Sequence, residues 1–243
     1  MAGILTRTQM VTEVLDNLSR STSGQTRNAV TLSTRAVTWL DRAQVWISRE
    51  TARQGIFLLT SIATASTVAS QKDYAFPFDV LAVFSMRYED GNNSVKVKPI
   101  MPWEFDDLVP RPASLATGQP NWYVPYKSTN TFELFPIPNA VKTLRLRLAY
   151  WPSTLGADSE VSDFSYADDV LIAKATEYGF RWLQEIPDAS AWKKQAEEEL
   201  DRVIMAERGK YPDWEPVARG FTASSAPLLG EYYNDPFVES ANV

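Results

Sequence analysis

Two adjacent carboxylate pairs, Asp106-Asp107 and Asp168-Asp169, are the first candidates for chemistry in this chain. A glycoside hydrolase works with two carboxyl groups that flank one scissile bond. Neighbouring residues on a helix point to different faces, so neither pair can flank a common bond. Charge at a helix start, where the positive end of the dipole favours carboxylates, explains both pairs better. No histidine and no cysteine occurs in the 243 residues. The commonest general base and the usual zinc and haem ligands are therefore missing. No Walker loop, Gly-rich dinucleotide fingerprint or Gly-x-Ser-x-Gly elbow is present. The sequence offers no catalytic residue, no metal ligand set and no cofactor site, and function is expected at surfaces.

The next candidates are binding groups. Arg35, Arg42 and Arg49 recur every seven residues and so share one helix face. A solvated stripe, neutralised by carboxylates such as Asp41 and Glu50 or by a neighbour, is the first reading. The sharper one is a basic strip facing an acidic partner or DNA. A net charge of -6 and a pI near 4.9 argue against a protein that neutralises nucleic-acid phosphates. Trp39, Trp46, Trp182 and Trp192 fall at core-like helical positions, where packing is the default.

Two helices must position the arginine stripe. Thr6-Arg7-Thr8-Gln9 has the Thr-x-x-Gln form of a capping box, and Val11, Val14, Leu15 and Leu18 follow at helical spacing. Ser21 to Gly24 breaks that pattern. A longer helix is predicted from about Arg27 to Gln54, with Leu32, Ala36, Leu40, Ala43 and Ile47 on one stripe. Gly55 supplies the left-handed stop. The pair reads as antiparallel.

After Gly55 the hydrophobic period shortens to that of strands. Val80, Ala82, Phe84, Met86 and Tyr88 alternate with Ser85, Arg87 and Glu89, and Asp90-Gly91 signals a hairpin to Val95 and Val97. Phe132 and Leu134 alternate with Thr131 and Glu133, and Leu144, Leu146, Leu148 and Tyr150 with Thr143, Arg145 and Arg147. Met101 to Leu108 reads as one short helix. Strands punctuated by Pro99, Pro102, Pro120, Pro136 and Pro138 predict an antiparallel sandwich or small barrel.

Helix returns near Tyr166, with Ser165 as its cap and Asp168 and Asp169 in the first turn. Val170, Leu171, Ala175, Tyr178, Trp182, Leu183 and Ile186 form a broad apolar face. Pro187-Asp188 starts a last helix carrying Trp192, Ala196, Leu200 and Val203. Its wet side holds the pairs Lys193-Glu197, Lys194-Glu198 and Glu198-Arg202, and Gly209 ends it. The residues thus read as an α+β chain: a helical bundle (1–55 and 163–209), an inserted antiparallel β domain (56–162) and a C-terminal arm (210–243).

That arm combines Pro212, Pro216, Pro227 and Pro236 with Trp214, Phe221, Leu228, Leu229, Tyr232, Tyr233 and Phe237. Proline at this density precludes a continuous helix, and disordered tails are usually poor in aromatics. An extended segment with spaced aromatic anchors suits a groove on a partner. Trp214, Phe221, Leu228, Tyr232, Tyr233 and Phe237 are the candidate partner-binding residues. No stretch reaches the run of about 20 apolar residues that spans a membrane. The first residues lack an apolar signal region, so the protein is expected to stay where it is made.

The order of these features resembles a known family. Tyr74-Ala75-Phe76-Pro77-Phe78-Asp79-Val80 precedes a strand pair with Asp90-Gly91. Pro120-Asn121-Trp122-Tyr123, Phe132-Glu133-Leu134-Phe135-Pro136-Ile137-Pro138 and Leu144 to Tyr150 with Pro152 follow, and a helical pair closes the chain. The chain resembles the head-to-tail connector (adaptor) proteins of tailed bacteriophages over roughly residues 1–208. The resemblance implies a non-enzymatic virion protein of the neck, assembled in the host cytoplasm. It implies a ring of twelve copies under the portal protein that extends the DNA channel and meets tail or neck proteins below. DNA would pass without sequence-specific binding, and no membrane is involved. A C-terminal segment of such proteins can reach into the portal. The alternatives are another neck protein, such as a stopper or tail terminator, and a carboxylate-based glycan hydrolase.

Overall fold

Thr6 and Gln9 start the first helix by satisfying each other's backbone. The Thr6 N–H donates to Gln9 Oε1 at 2.9 Å, and the Gln9 N–H donates to Thr6 Oγ1 at 3.4 Å. In the computed structural model, which describes residues 4–21, 29–91, 93–109, 117–126, 128–164 and 166–210, five helices and seven strands follow. They are α1 (Arg7–Ser21), α2 (Ala29–Arg53), β1 (Thr60–Ser66), β2 (Asp73–Ala75), β3 (Val80–Asp90), β4 (Asn93–Pro99), α3 (Pro102–Leu108), β5 (Trp122–Tyr126), β6 (Thr131–Phe135), β7 (Thr143–Tyr150), α4 (Asp168–Leu183) and α5 (Ile186–Gly209). The described residues form two compact units, a helical one running to Thr60 and resuming at Ala149, and a sheet unit from Ser61 to Leu148.

In the helical unit, α2 ends where Gly55 takes a φ of 74°. The Ile56 N–H reaches back to Thr51 O and the Gly55 N–H to Ala52 O, both at 3.0 Å, closing a Schellman motif. Helix α4 uses the same device with a residue that rarely takes it. Gln184 has a φ of 66°, and the Glu185 N–H bonds Phe180 O at 3.0 Å. The break before α5 therefore lies at Gln184, ahead of the expected Pro187-Asp188.

Helix α4 is buried nearly all round, from Val170 to Ala175 and again at Gly179 and Phe180, and it packs on α1, α2 and α5. Its middle turns thus form a core helix, with Asp169 and Arg181 exposed near its two ends. Met10, Val14, Leu40, Ile47, Leu171, Phe180 and Leu200 surround it in one cluster, with Trp46, Trp182 and Trp192 partly buried against it. Packing thus accounts for the tryptophans. Gly179 makes the close approach of α1 to α4 possible. A Cβ there would sit 2.8 Å from both terminal methyl carbons of Leu18 and 3.1 Å from the Trp39 ring. We expect Gly179→Ala to destabilise the protein by about 1–3 kcal/mol, measured by urea unfolding.

Asp168 does more than charge a helix start. Its Oδ2 accepts the Ile4 N–H at 2.6 Å and the Leu5 N–H at 2.9 Å, and the residue is buried. The α4 N-cap position is Ala167, without a side-chain cap; the expected cap, Ser165, lies outside the described residues. Asp168→Ala should cost about 1–3 kcal/mol in the same assay, because two backbone donors lose their acceptor. Asp106 and Asp107 stand in the second half of the short α3, whose first-turn acid is Glu104. Helix-start charge therefore explains the second pair only in part and the first pair not at all.

In the sheet unit the strands run in the order β1-β7-β3-β4-β5-β6-β2, one seven-stranded sheet. The hairpin β3-β4 is antiparallel, as expected, and β5, which the sequence did not announce, pairs antiparallel with β6. Asp90 pairs with Asn93, which centres the first turn one residue beyond Asp90-Gly91. The sheet departs from the expected antiparallel pattern where β4 and β5 run parallel, with Lys98 opposite Trp122 and Pro99 opposite Tyr123. A parallel pairing needs a long crossover, and the segment from Ile100 through α3 to Asn121 supplies it.

Phe132 and Leu134 of β6 and Leu144, Leu146 and Leu148 of β7 are buried as their alternation predicts. Phe132 lies 4.7 Å from the Phe76 ring, 5.6 Å from Tyr74 and 6.5 Å from Tyr123, centroid to centroid. Glu133, expected on the wet face, is buried too. Lys72 Nζ donates to its Oε1 at 3.2 Å and the Tyr126 hydroxyl to its Oε2 at 3.3 Å. Within the helical unit, next to its limits at Thr60 and Ala149, the Tyr150 N–H donates to Leu59 O at 3.2 Å, so the outgoing and returning chains are hydrogen-bonded neighbours.

Candidate functional site

Along α2 and α4 of the helical unit, cations and aromatic rings alternate. Arg35, Arg42 and Arg49 are exposed on α2, with Trp46 half-buried among them. The Arg35 guanidinium carbon lies 4.7 Å from the centroid of the Trp182 ring. Lys174 Nζ sits 4.1 Å from the centroid of Trp46 and 5.3 Å from that of Tyr178. Such contacts are worth about 0.5–1 kcal/mol where exposed and more where water is excluded.

Beneath this surface lies a buried ion pair. Lys174 is 5% exposed and Glu177 fully buried. Lys174 Nζ donates to Glu177 Oε2 at 2.5 Å. Arg181 Nη2 stands 2.7 Å from Oε1, without the alignment of a hydrogen bond. Burial pushes the Tyr178 hydroxyl above its ordinary pKa; Glu177 adds to the shift, while Arg181, Arg42 and Arg49 oppose it. Two of the three stripe arginines, Arg42 and Arg49, thus oppose the rise at Tyr178 on α4. Sequence periodicity singled out Arg35, Arg42 and Arg49 on α2; on α4, Arg181 is exposed and the Lys174–Glu177 pair is buried.

The carboxylates expected to neutralise the stripe are engaged elsewhere. Asp41 Oδ1 accepts the Leu155 N–H at 2.9 Å, and Glu50 pairs with Arg53 at 3.1 Å. On α5, Lys193-Glu197 at 3.6 Å and Lys194-Glu198 at 3.7 Å form as predicted. Arg202 pairs with Glu199 at 2.5 Å in place of Glu198.

A second surface of the helical unit has the opposite sign. Between α1, α4 and α5 opens a cleft of about 400 Å3 whose lining includes Glu13, Asp169 and Glu199 with Leu5, Ile172 and Trp192. Glu13 and Asp169 are exposed, and Glu199 is half-buried against Arg202. Sequence reading missed the cleft because its acids come from three separate helices. In the sheet unit, Trp103 and Trp122 stay exposed at 68% and 38%. Trp122 stacks on Phe135 with centroids 6.0 Å apart, and Phe105 meets the same ring edge-on at 5.4 Å. The predicted partner-binding residues Trp214, Phe221, Leu228, Tyr232, Tyr233 and Phe237 lie outside the described residues.

Among described residues no helix is long and apolar enough to cross a membrane. No curated protein matches the chain significantly. Residues 5–220 match the family model of the SU10 adaptor protein, across both units and nearly the whole span of the resemblance seen in Tyr74–Val80, Pro120–Tyr123 and Phe132–Pro138. The match covers far more than half of the sequence, and the chain belongs to the SU10 adaptor protein family of phage head-to-tail adaptors.

Proposed function

We propose that this protein is a non-enzymatic head-to-tail connector: twelve copies form a ring below the portal, extend the DNA channel and offer the attachment surface for the tail. The observation that carries this reading is the family match over residues 5–220. The charge of the chain favours it as well. With a net charge of -6 per subunit, a ring repels DNA phosphates and limits adhesion during passage. The reading includes a division of the chain in which the β region, 56–162, is an inserted domain. The helical parts, 1–55 and 163–209, would then carry the lateral contacts. Imaging the protein in its particle by electron cryomicroscopy tests the proposal. A closed ring of this chain between portal and tail is expected, and a position away from the neck would sink it.

The arm from residue 210 is proposed as the portal anchor, through Trp214, Phe221, Leu228, Tyr232, Tyr233 and Phe237. Aromatic anchors dominate interface energetics, each ring contributing roughly 2 kcal/mol or more when buried. Ordering an arm offsets part of that gain, and repetition around a ring restores avidity. A chain truncated after Gly209 should remain folded and soluble but lose firm attachment to portal-bearing heads in a sedimentation assay. Normal docking would show that the anchor lies elsewhere, and unfolding would place the arm in the core.

A glycan-hydrolase reading would have to use the acids of the cleft, Glu13, Asp169 and Glu199. Turnover of cell-wall glycan by the purified chain, abolished in Asp169→Asn, would carry that reading instead.

A further inference from the structure

We infer that the arginine face of one copy docks on the carboxylate-lined cleft of a second copy, and that this contact is the lateral seam of the assembly. The inference rests on the ring reading above and names the two surfaces that would meet. One surface presents Arg35, Arg42, Arg49 and Arg181 around Trp46 and Tyr178. The other presents Glu13, Asp169 and Glu199 on walls that include Leu5, Ile172 and Trp192. Each combines charge with apolar surface, and the charges are opposite.

Their placement suits a repeating contact. A ring requires a heterologous interface, in which two different patches of one subunit point to opposite neighbours. Helix α4 contributes to both patches. Asp169, Ile172 and Ala173 line the cleft, while Tyr178 and Arg181 belong to the basic face, with Lys174 buried beneath it. At about 100° per residue, the two sets are centred roughly 150° apart around the helix axis. One copy can therefore offer its basic face to one neighbour and its cleft to the next.

Single-stranded nucleic acid is the other occupant that arginine and aromatic groups suit, and the geometry disfavours it. Base stacking needs open ring faces, yet Trp182 carries Arg35 and Trp46 carries Lys174. Arginine and tryptophan are also the residues that anchor protein interfaces.

The test is a charge swap in the full chain. Arg42→Glu with Arg49→Glu reverses one face, and Glu13→Lys with Asp169→Lys reverses the other. All four positions are exposed, so thermal unfolding should show folded proteins throughout. Association is read by sedimentation velocity, and copies per portal-bearing particle are counted by electron microscopy. Each double variant should associate at least about tenfold more weakly than the wild type, since like charges then face each other. The fourfold variant should recover association, which a merely local defect would not allow. Wild-type assembly left intact by both double variants would overturn the seam while leaving the ring reading standing. A loss of DNA binding without a loss of assembly would overturn it in favour of the nucleic-acid occupant. A wild-type chain that stays monomeric in solution and in particles would overturn the ring reading and the seam together.

Discussion

Glu177→Ala is expected to lower the stability of the helical unit by about 3–5 kcal/mol, because it strands the buried Lys174 ammonium without its carboxylate. Lys174 is 5% exposed and cannot reach water without disturbing the Trp46 and Tyr178 rings it lies against. A fall in Tm on the order of 10 °C should follow. Glu177→Gln, which keeps the shape and removes the charge, separates the electrostatic loss from the cavity and should retain most of the effect. Replacing both ions by apolar residues of similar volume, Lys174→Met with Glu177→Leu, should recover much of the lost stability, since no unpaired charge is then buried. A double variant as unstable as the sum of the singles would show that the pair is not coupled. Arg181 has its own exposed environment, and its loss should matter far less.

Phe132→Ala is the corresponding probe of the sheet unit. The ring is 1% exposed and stands among Tyr74, Phe76 and Tyr123. Its removal should cost about 3–5 kcal/mol, the transfer and cavity terms together. Paired with Glu177→Ala, it tests whether the β region is an independent domain. In calorimetry, two separable transitions should appear if the inserted-domain proposal holds, with Phe132→Ala lowering one and Glu177→Ala the other. A single transition lowered by either substitution would mean that the chain unfolds as one cooperative body.

Features encoded within a few residues were legible in the sequence. The Thr6-Gln9 box and the left-handed Gly55 are local devices, and the structure has both. Gln184 ends α4 by the same geometry as Gly55, but glutamine carries no signal for a positive φ. Strand β1 puts only Ser61, Ala63 and Ala65 at its partly buried positions and leaves Ile62 exposed, so its alternation left no apolar trace. The parallel seam of β4 and β5 joins segments separated by α3, a pairing that no local pattern specifies. Of the candidate surface, the seven-residue spacing of Arg35, Arg42 and Arg49 marked one helix. Lys174 and Glu177 escaped notice because a charged pair within an apolar helix face looks the same in sequence whether it is wet or buried. Only the rings of Trp46 and Tyr178 over Lys174 reveal which.

The hydrogen bond between the Tyr150 N–H and Leu59 O, at 3.2 Å, has an evolutionary corollary. Under the inserted-domain proposal, it clips the two ends of the intervening segment together, and that segment counts chiefly as a closed loop of some length. Closure entropy grows only with the logarithm of length, about 0.6 kcal/mol per doubling. On that proposal, lineages would be free to lengthen, shorten or exchange the loop with little loss of stability. Natural variation in this protein should then concentrate in the size of the insert, with the clip at Leu59 and Tyr150 as the fixed point.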